Sequence, residues 1–157
     1  MVASRLFVYG TLMCPEVLNG LLRRVPTRRP ATLPGFARWR VRDEPFPAIL
    51  RSAGEGSVVD GCVLEGLDGR ELSTLDYYEA EEYERLLVNV QCADTREELE
   101  AQVYVWPDEM AGELSVGEPW SYDEFVTRDL ADYLRDVVEP CRVGLDSVPW
   151  PDGVSKQ

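Results

Sequence analysis

A buried strand that stops at a glycine is the feature that most constrains how this chain can fold. Residues 6–8 are Leu, Phe and Val, an apolar run typical of a core strand, and Pro15 follows at a position suited to the first turn of a helix. A strand–turn–helix connection of this kind can aim consecutive backbone N–H groups at one point, where they could hold a carboxylate or a developing oxyanion. The residues of this predicted turn are Tyr9, Gly10, Thr11 and Leu12.

The chain contains no histidine, and this excludes several kinds of active site. A Ser-His-Asp or Cys-His nucleophile pair, a histidine general base and the usual His-bearing zinc site all require an imidazole. The four cysteines are too widely spaced for a CxxC metal or redox motif, and we interpret them as mostly buried, reduced, apolar residues. Carboxylates and backbone amides are left as the favoured catalytic groups. Cys14, at a predicted helix start that would lower its pKa, is a less favoured thiol nucleophile.

Length and composition indicate a single globular domain with a substantial core. Of the 157 residues, 45% are hydrophobic, and no internal repeat or low-complexity tract interrupts them. The net charge of −13 argues against nucleic acid as a partner, because both molecules would be polyanions. The sequence shows neither a signal peptide nor a long apolar stretch, so we expect a cytoplasmic protein without a membrane partner.

Positive and negative charges are distributed unevenly along the chain. Residues 1–51 contain nine arginines against three acidic residues, a net charge of +6, and the remainder carries −19. One interpretation is that the two parts pack together and their charges pair across the surface. The alternative is that an arginine of the first part, Arg38 or Arg40, faces a substrate carboxylate beside the glycine turn.

Hydrophobic periodicity and capping signals predict mostly strands, with two substantial helices. Strands are predicted over residues 6–9, 36–41, 48–50, 58–64, 83–90 and 101–106, with Gly61 at a bulge or a close backbone approach. A short helix is predicted over residues 15–22. The pairs Asp68/Glu71 and Ser121/Glu124 each have the spacing of a capping box ahead of a longer helix.

Two segments that contain several prolines are predicted to lack regular structure. Residues 23–34 are rich in arginine and proline and are expected to form an irregular connection. Beyond Pro140 the chain has further prolines at 149 and 151, so residues 141–157 are predicted to form an extended C-terminal tail. The domain is therefore predicted to occupy residues 1–140.

An acidic segment at the end of the predicted second helix contains the main candidate for a catalytic base. Leu72, Leu75 and Glu79 recur at helical spacing, which would place Glu79 at the inner edge of the apolar face. Partial burial and neighbouring acids would raise the pKa of its carboxyl and make it a better proton acceptor near neutral pH. A structural or exposed glutamate is the alternative at this position. For the glutamates at 81, 82 and 84 the pattern favours a solvated turn.

Three short motifs follow one another along the chain. They are Tyr9-Gly10-Thr11-Leu12 after a strand, Phe46-Pro47-Ala48-Ile49 in mid-chain, and Leu75-Asp76-x-x-Glu79 followed by Tyr83-x-Arg85. In this order and spacing they resemble the gamma-glutamylcyclotransferase-like family. The segment from Trp120 to Tyr133 is similar to the branch that contains the plant avirulence-induced proteins and the gamma-glutamylamine cyclotransferases. The resemblance implies an α+β fold, a small mixed β-barrel with flanking helices, with a pocket between the glycine turn and Glu79.

By motif match, the resemblance also implies roles for particular residues. Tyr9, Gly10, Thr11 and Leu12 would bind the substrate and Glu79 would be the general acid and base. Tyr83 would be a pocket tyrosine whose hydroxyl, with that of Tyr9, orients the amide; a plain strand residue is the alternative.

The family's chemistry is the cyclisation of a γ-glutamyl amide or peptide to 5-oxoproline with release of an amine. The substrate brings its own nucleophile, so this chemistry requires no metal or cofactor, and a small γ-glutamyl substrate is the expected partner. A relative that binds a metabolite or a protein without turnover is the alternative function.

Overall fold

Eight strands form the framework of the protein, and five of them close into a barrel. The computed structural model describes residues 4–52, 56–79 and 83–147. In chain order the strands are β1 (Ser4–Val8), β2 (Thr27–Pro34), β3 (Phe36–Val41), β4 (Pro47–Arg51), β5 (Val58–Leu67), β6 (Glu84–Cys92), β7 (Glu98–Val105) and β8 (Leu114–Ser115). The barrel has the order β1, β5, β2, β6, β7, and the parallel pairing of β1 with β7 closes it. Its other pairs are antiparallel, so the barrel is mixed.

Strand β1 is buried on both of its faces. Phe7 packs inside the barrel with Val63 and Val103. Leu6 and Val8 point the other way, into a second cluster between the barrel and the helices. The uninterrupted apolar run is explained by this position, because a strand that alternates its side chains between two cores needs hydrophobic residues throughout.

Three helices pack against the outside of the barrel. They are α1 (Pro15–Leu22), α2 (Gly69–Glu79) and α3, which runs over residues 122–147 and includes two wider π-helical turns, Phe125–Asp129 and Leu134–Val138. The predicted capping box at α2 is confirmed: the Glu71 N–H donates to Asp68 Oδ1 at 2.7 Å, and the Asp68 N–H donates to Glu71 Oε1 at 3.2 Å. Each of these helices is too short or too polar to span a bilayer, among the residues that the structure describes.

A smaller sheet of β4, β3 and β8 lies beside the barrel. The backbone N–H of Trp106 donates to the Ile49 carbonyl at 3.1 Å and connects this sheet to the end of the barrel. Gly61 of β5 is the predicted close approach, since a Cβ there would collide with the Val8 carbonyl oxygen. The α+β architecture with a small mixed barrel and flanking helices is therefore confirmed.

The prediction of an irregular connection over residues 23–34 is wrong for residues 27–34, its last two thirds. Residues 27–34 form β2, which pairs with β5 along its whole length. On its other side β2 pairs with β6 only at Ala31 and Thr32. The prolines of β2 are tolerated because few ladder hydrogen bonds are required on that second side.

The prediction of an extended tail after Pro140 is wrong for residues 141–147, which continue the last helix. Leu145 is 4% exposed, and Arg142 Nη1 donates to the Leu21 carbonyl of α1 at 2.6 Å. The second π-helical turn, Leu134–Val138, ends two residues before Pro140. The helical hydrogen-bond pattern therefore already changes close to the residue that lacks an N–H donor. Residues 148–157, and the acidic pair Glu81 and Glu82, lie outside the described residues.

Arginines of the positive first part of the chain form ion pairs with acidic residues of the negative later part, as the first of the two interpretations predicted. Arg24 contacts Glu71 at 2.6 Å, and Arg38 contacts Asp60 at 2.9 Å. Arg29 faces three acidic side chains at 3.4–3.9 Å. In each case an arginine of residues 1–51 pairs with an acid from the later, negative part of the chain.

Candidate active site

A cavity of about 310 Å³ opens where β1 ends, between the glycine turn and the end of α2. The turn contributes Tyr9, Gly10, Thr11 and Leu12, and five tyrosines contribute to the wall: Tyr9, Tyr78, Tyr83, Tyr104 and Tyr133. Among the described residues that line the cavity, the charged side chains are Glu44 and Glu79, and none is basic. The structure thus brings together the predicted binding turn, the predicted acid/base and the predicted pocket tyrosine.

The glycine turn lines this cavity and includes two backbone N–H groups that have no acceptor among the described residues. Residues Thr11–Met13 form a single 3₁₀ turn, in which the Met13 N–H donates to the Gly10 carbonyl at 3.0 Å. The N–H groups of Thr11 and Leu12 have no acceptor within the part of the chain that the structure describes. Two adjacent unpaired N–H groups on a cavity wall can hold a carboxylate or an oxyanion.

Glu79 is the last residue of α2 and is half-buried at the cavity wall. Burial is the main reason that the pKa of each neighbouring tyrosine is raised, and the negative charge of Glu79 adds to it at Tyr9, Tyr78, Tyr104 and Tyr133. For Tyr133 the pKa rises to about 12. One carboxylate therefore lies within electrostatic reach of four phenols that remain neutral near pH 7.

Asp76, one helical turn before Glu79, fastens the end of α2 to the barrel. Its Oδ1 accepts a hydrogen bond from the Tyr104 hydroxyl at 2.7 Å, and Arg85 Nη1 lies 2.8 Å from both of its carboxylate oxygens. Tyr104 belongs to β7 and Arg85 to β6. These two contacts explain why aspartate and arginine accompany Glu79 in the sequence motif.

Tyr9 and Tyr83 line the cavity, but their hydroxyl hydrogens are used by the scaffold. Tyr9 donates to the Tyr104 carbonyl at 2.6 Å, and Tyr83 donates to the Pro47 carbonyl at 2.9 Å. Tyr83 also stands edge-on to Trp106, with ring centroids 5.0 Å apart. In this arrangement both hydroxyl hydrogens are directed to backbone carbonyls, and the rings form part of the cavity wall. The role of the two hydroxyls in orienting the substrate amide stays a prediction.

Arg38 and Arg40, the predicted partners of a substrate carboxylate, do not line the cavity. Arg38 Nη1 donates to the Tyr9 carbonyl at 2.8 Å and to the Asp60 carbonyl at 2.9 Å, so the guanidinium supports the turn from outside the cavity. Arg40 lies farther along β3, where its backbone pairs with Pro47 and Ser115. The alternation of β3 places both arginines on one face of the strand, and that face does not open into the cavity.

Cys14 is also outside the cavity wall and is fully buried. Its thiol donates to Glu16 Oε2 at 2.9 Å. Burial, together with this hydrogen bond, raises the pKa of the Cys14 thiol. The effect is opposite to the activation expected at a helix start, and it disfavours the thiol-nucleophile alternative.

Four polar contributors to the cavity were missed by the sequence reasoning, namely Glu44, Tyr78, Tyr104 and Tyr133. Tyr78 directly precedes Glu79, so its place in the motif was an available signal. Tyr133 falls on the apolar face of α3, and its position is indistinguishable from a core residue in sequence. Within the described residues, no group of three or more His, Cys, Asp or Glu side chains is placed to hold a metal ion.

Comparison with known proteins identifies the family. Residues 6–122 match the family described as gamma-glutamyl cyclotransferase, AIG2-like. The chain belongs to this family. AIG2-like protein C of Arabidopsis thaliana is 42% identical over 132 residues, which are 84% of this chain and 74% of that protein.

Solved structures of AIG2-like and cyclotransferase proteins have the same fold. A solution structure from Arabidopsis thaliana superposes with a TM-score of 0.68 at 29% identity, covering 96% of this chain and 97% of the other. A structure named gamma-glutamyl cyclotransferase superposes with a TM-score of 0.56 at 16% identity, covering 98% of this chain and 92% of the other. The AIG2-like match includes the glycine turn and Glu79 and ends before Tyr133.

Proposed function

We propose that this protein cyclises a γ-glutamyl amide or peptide to 5-oxoproline and releases an amine. The observation that carries the proposal is the position of Glu79, which shares one cavity with the unpaired N–H groups of Thr11 and Leu12. A proton acceptor and an oxyanion site are the two components that this reaction needs from the protein. Membership of the gamma-glutamyl cyclotransferase, AIG2-like family supports the same reaction.

The substrate supplies the nucleophile for the cyclisation. Its α-amine attacks the γ-carbonyl carbon, a five-membered ring forms, and the bond from that carbon to the leaving nitrogen breaks. Because the reacting groups belong to one molecule, the reaction has an entropic advantage; well-oriented intramolecular reactions reach effective molarities of about 10⁵–10⁸ M. The protein therefore needs to hold the substrate in a folded conformation and to manage protons.

Glu79 is the proposed proton carrier. A protonated α-amine cannot attack, so the Glu79 carboxylate accepts one of its protons and then donates it to the leaving nitrogen. After the attack, the carboxylate accepts a second proton from the same nitrogen and passes it to the leaving amine. The proton count is then balanced, because the α-ammonium group loses two protons as it becomes the ring N–H and the leaving amide nitrogen gains two as it becomes an ammonium ion. Glu79 returns to its carboxylate form, and no other group is consumed.

The glycine turn is the proposed site for negative charge on the substrate. When the α-amine attacks, the γ-carbonyl oxygen becomes an oxyanion, and the N–H groups of Thr11 and Leu12 stabilise it. Removal of one such donor in other enzymes costs about 3 kcal/mol of transition-state stabilisation. The described cavity wall contains no basic side chain, so backbone and hydroxyl donors, rather than arginine, are the proposed partners of the substrate's oxygens.

The test is direct measurement of 5-oxoproline after incubation with a panel of γ-glutamyl amines and peptides. The wild-type protein should release 5-oxoproline from at least one member, whereas Glu79→Gln should bind that substrate and lose turnover by about 10²–10⁴-fold. Glu84→Gln, at an exposed site of β6, is the matched control. Binding without product across the panel would favour the non-catalytic alternative, and near-native turnover by Glu79→Gln would remove Glu79 from the mechanism.

We also propose a cytoplasmic location and a small γ-glutamyl molecule as the partner. All four cysteines are free, which is the usual state of thiols in a reducing compartment. The volume of the cavity, about 310 Å³, supports a small substrate rather than a macromolecule.

A further inference from the structure

Helix α3 supplies one wall of the cavity, although it follows the segment that matches the family. Tyr133 and Val137 of this helix line the cavity, and the family match ends at residue 122. Tyr133 is 5% exposed, and its ring packs edge-on against Phe125 with centroids 5.2 Å apart. Packing therefore holds the phenol in one orientation, with its hydroxyl at the cavity.

Three hydroxyls from three different elements form a hydrogen-bonded chain at this wall. The Tyr133 hydroxyl bonds to the Tyr78 hydroxyl, and the Tyr78 hydroxyl lies 2.7 Å from Thr11 Oγ1. Tyr78 belongs to α2, and Thr11 belongs to the glycine turn. Each hydroxyl has a single hydrogen. When Tyr133 donates to Tyr78 and Tyr78 donates to Thr11, the hydrogen of the Thr11 hydroxyl stays available to a ligand.

We propose that Tyr133 is a positioning residue, which acts through Tyr78 to hold the Thr11 hydroxyl as a donor to an oxygen of the bound substrate. The inference rests on the proposed cyclisation, and it adds α3 to the site. Hydrogen bonds in series polarise one another in a buried setting, so a fixed Thr11 donor adds to the Thr11 and Leu12 N–H groups beside it. Thr11 itself is 6% exposed, which excludes most competing water.

The experiment compares variants that each remove one hydroxyl and retain the ring or its shape. Tyr133→Phe and Tyr78→Phe break the chain from α3 and from α2, and Thr11→Val removes its end. Each should lower kcat/KM for 5-oxoproline release by about tenfold, the effect of one lost hydrogen bond. Tyr122→Phe, also on α3 but outside the cavity wall, is the matched control and should leave kcat/KM unchanged.

Coupling between the variants separates positioning from a general structural effect. If Tyr133 acts through Thr11, then Tyr133→Phe combined with Thr11→Val should be no slower than Thr11→Val alone. A fall in kcat assigns the Thr11 donor to the oxyanion, and a rise in KM assigns it to the substrate carboxylate. Full additivity of the two losses, or unchanged kcat and KM in Tyr133→Phe, would overturn the inference. Tyr78→Phe serves as the test if Tyr133→Phe fails to fold.

A binding measurement keeps this inference distinct from the proposed function. If the wild-type protein releases no 5-oxoproline from any substrate, the proposed function fails, and calorimetric titration with 5-oxoproline itself tests the hydroxyl chain. Binding to Tyr133→Phe that is about tenfold weaker than to the wild type would support the chain. Equal binding to the two proteins, or no binding to the wild type, would contradict it.

Discussion

Gly10 lies against the ring of Pro47 so closely that a Cβ at residue 10 would come within 2.9 Å of the proline Cγ. The two residues belong to the first and second sequence motifs, Tyr9–Leu12 and Phe46–Ile49. Their contact explains why the motifs occur together, since the proline of β4 forms the surface against which the glycine turn is set. Both residues line the cavity, so this contact also shapes the candidate active site.

Gly10→Ala should therefore impair both stability and activity. The added methyl group would force the turn or Pro47 to move, and overpacking of this kind typically costs about 1–3 kcal/mol. We expect a lower free energy of unfolding in urea denaturation and a lower kcat for 5-oxoproline release. Gly69→Ala is the matched control, because a Cβ at Gly69 meets nothing within 4 Å. Equal stability of the two variants would show that the turn can relax without cost.

Asp76 should stabilise the fold mainly by accepting a hydrogen bond from the buried Tyr104 hydroxyl. Asp76→Ala would leave the Tyr104 hydroxyl without a partner, at a cost of about 1–3 kcal/mol of unfolding free energy. Asp76→Asn keeps an oxygen for Tyr104 and loses only the ion pair with Arg85, which is partly exposed and contributes less than about 1 kcal/mol. Thermal unfolding of the two variants measures the difference. If Asp76→Ala and Asp76→Asn were equally stable, this assignment would be contradicted.

The buried tyrosines predict a loss of stability at alkaline pH. Burial raises the pKa of Tyr133 to about 12 and the pKa of Tyr78 well above its ordinary value, whereas both phenols titrate near 10 in the unfolded chain. Above pH 10 the unfolded state therefore binds fewer protons than the native state, and the free energy of unfolding falls as pH rises, by up to about 1.4 kcal/mol per pH unit for each tyrosine.

Urea denaturation between pH 8 and 11.5 measures this dependence. The contribution of the two tyrosines should be fully present below pH 10 and should decline above it. Tyr133→Phe removes one titrating group and should give a shallower decline. A free energy of unfolding that stays constant from pH 9.5 to 11.5 would show that these phenols titrate alike in both states.

Leu145 tests whether the last helix extends past Pro140 in solution. Its side chain is 4% exposed, so Leu145→Ala should lower the free energy of unfolding by about 2–5 kcal/mol. Val143→Ala on the same helix, where Val143 is 64% exposed, should change it little. An extended tail would instead make the two substitutions equivalent, which urea denaturation would detect.

Local sequence signals predicted the elements whose formation depends on near neighbours. The helix over Pro15–Leu22 was predicted with the bounds that the structure has, because proline at the first turn is a local signal. The Asp68/Glu71 capping box was equally predictable, since both partners lie within one turn. By contrast, β2 was missed because its prolines are a local signal against a strand, and its stability comes from β5, about thirty residues later in the chain.

Some features of the candidate active site follow from the sequence, and others follow only from the tertiary structure. The apolar run ending at Gly10, the lack of histidine and the place of Glu79 at a helix end could all be deduced from the order of residues. Only the closed barrel decided that Arg38 supports the Tyr9 carbonyl from outside the cavity, and that Tyr133 meets Tyr78 and Thr11 inside it. Residues so far apart in sequence become neighbours through packing of whole elements, and no periodicity within one element specifies which side chains will face one another.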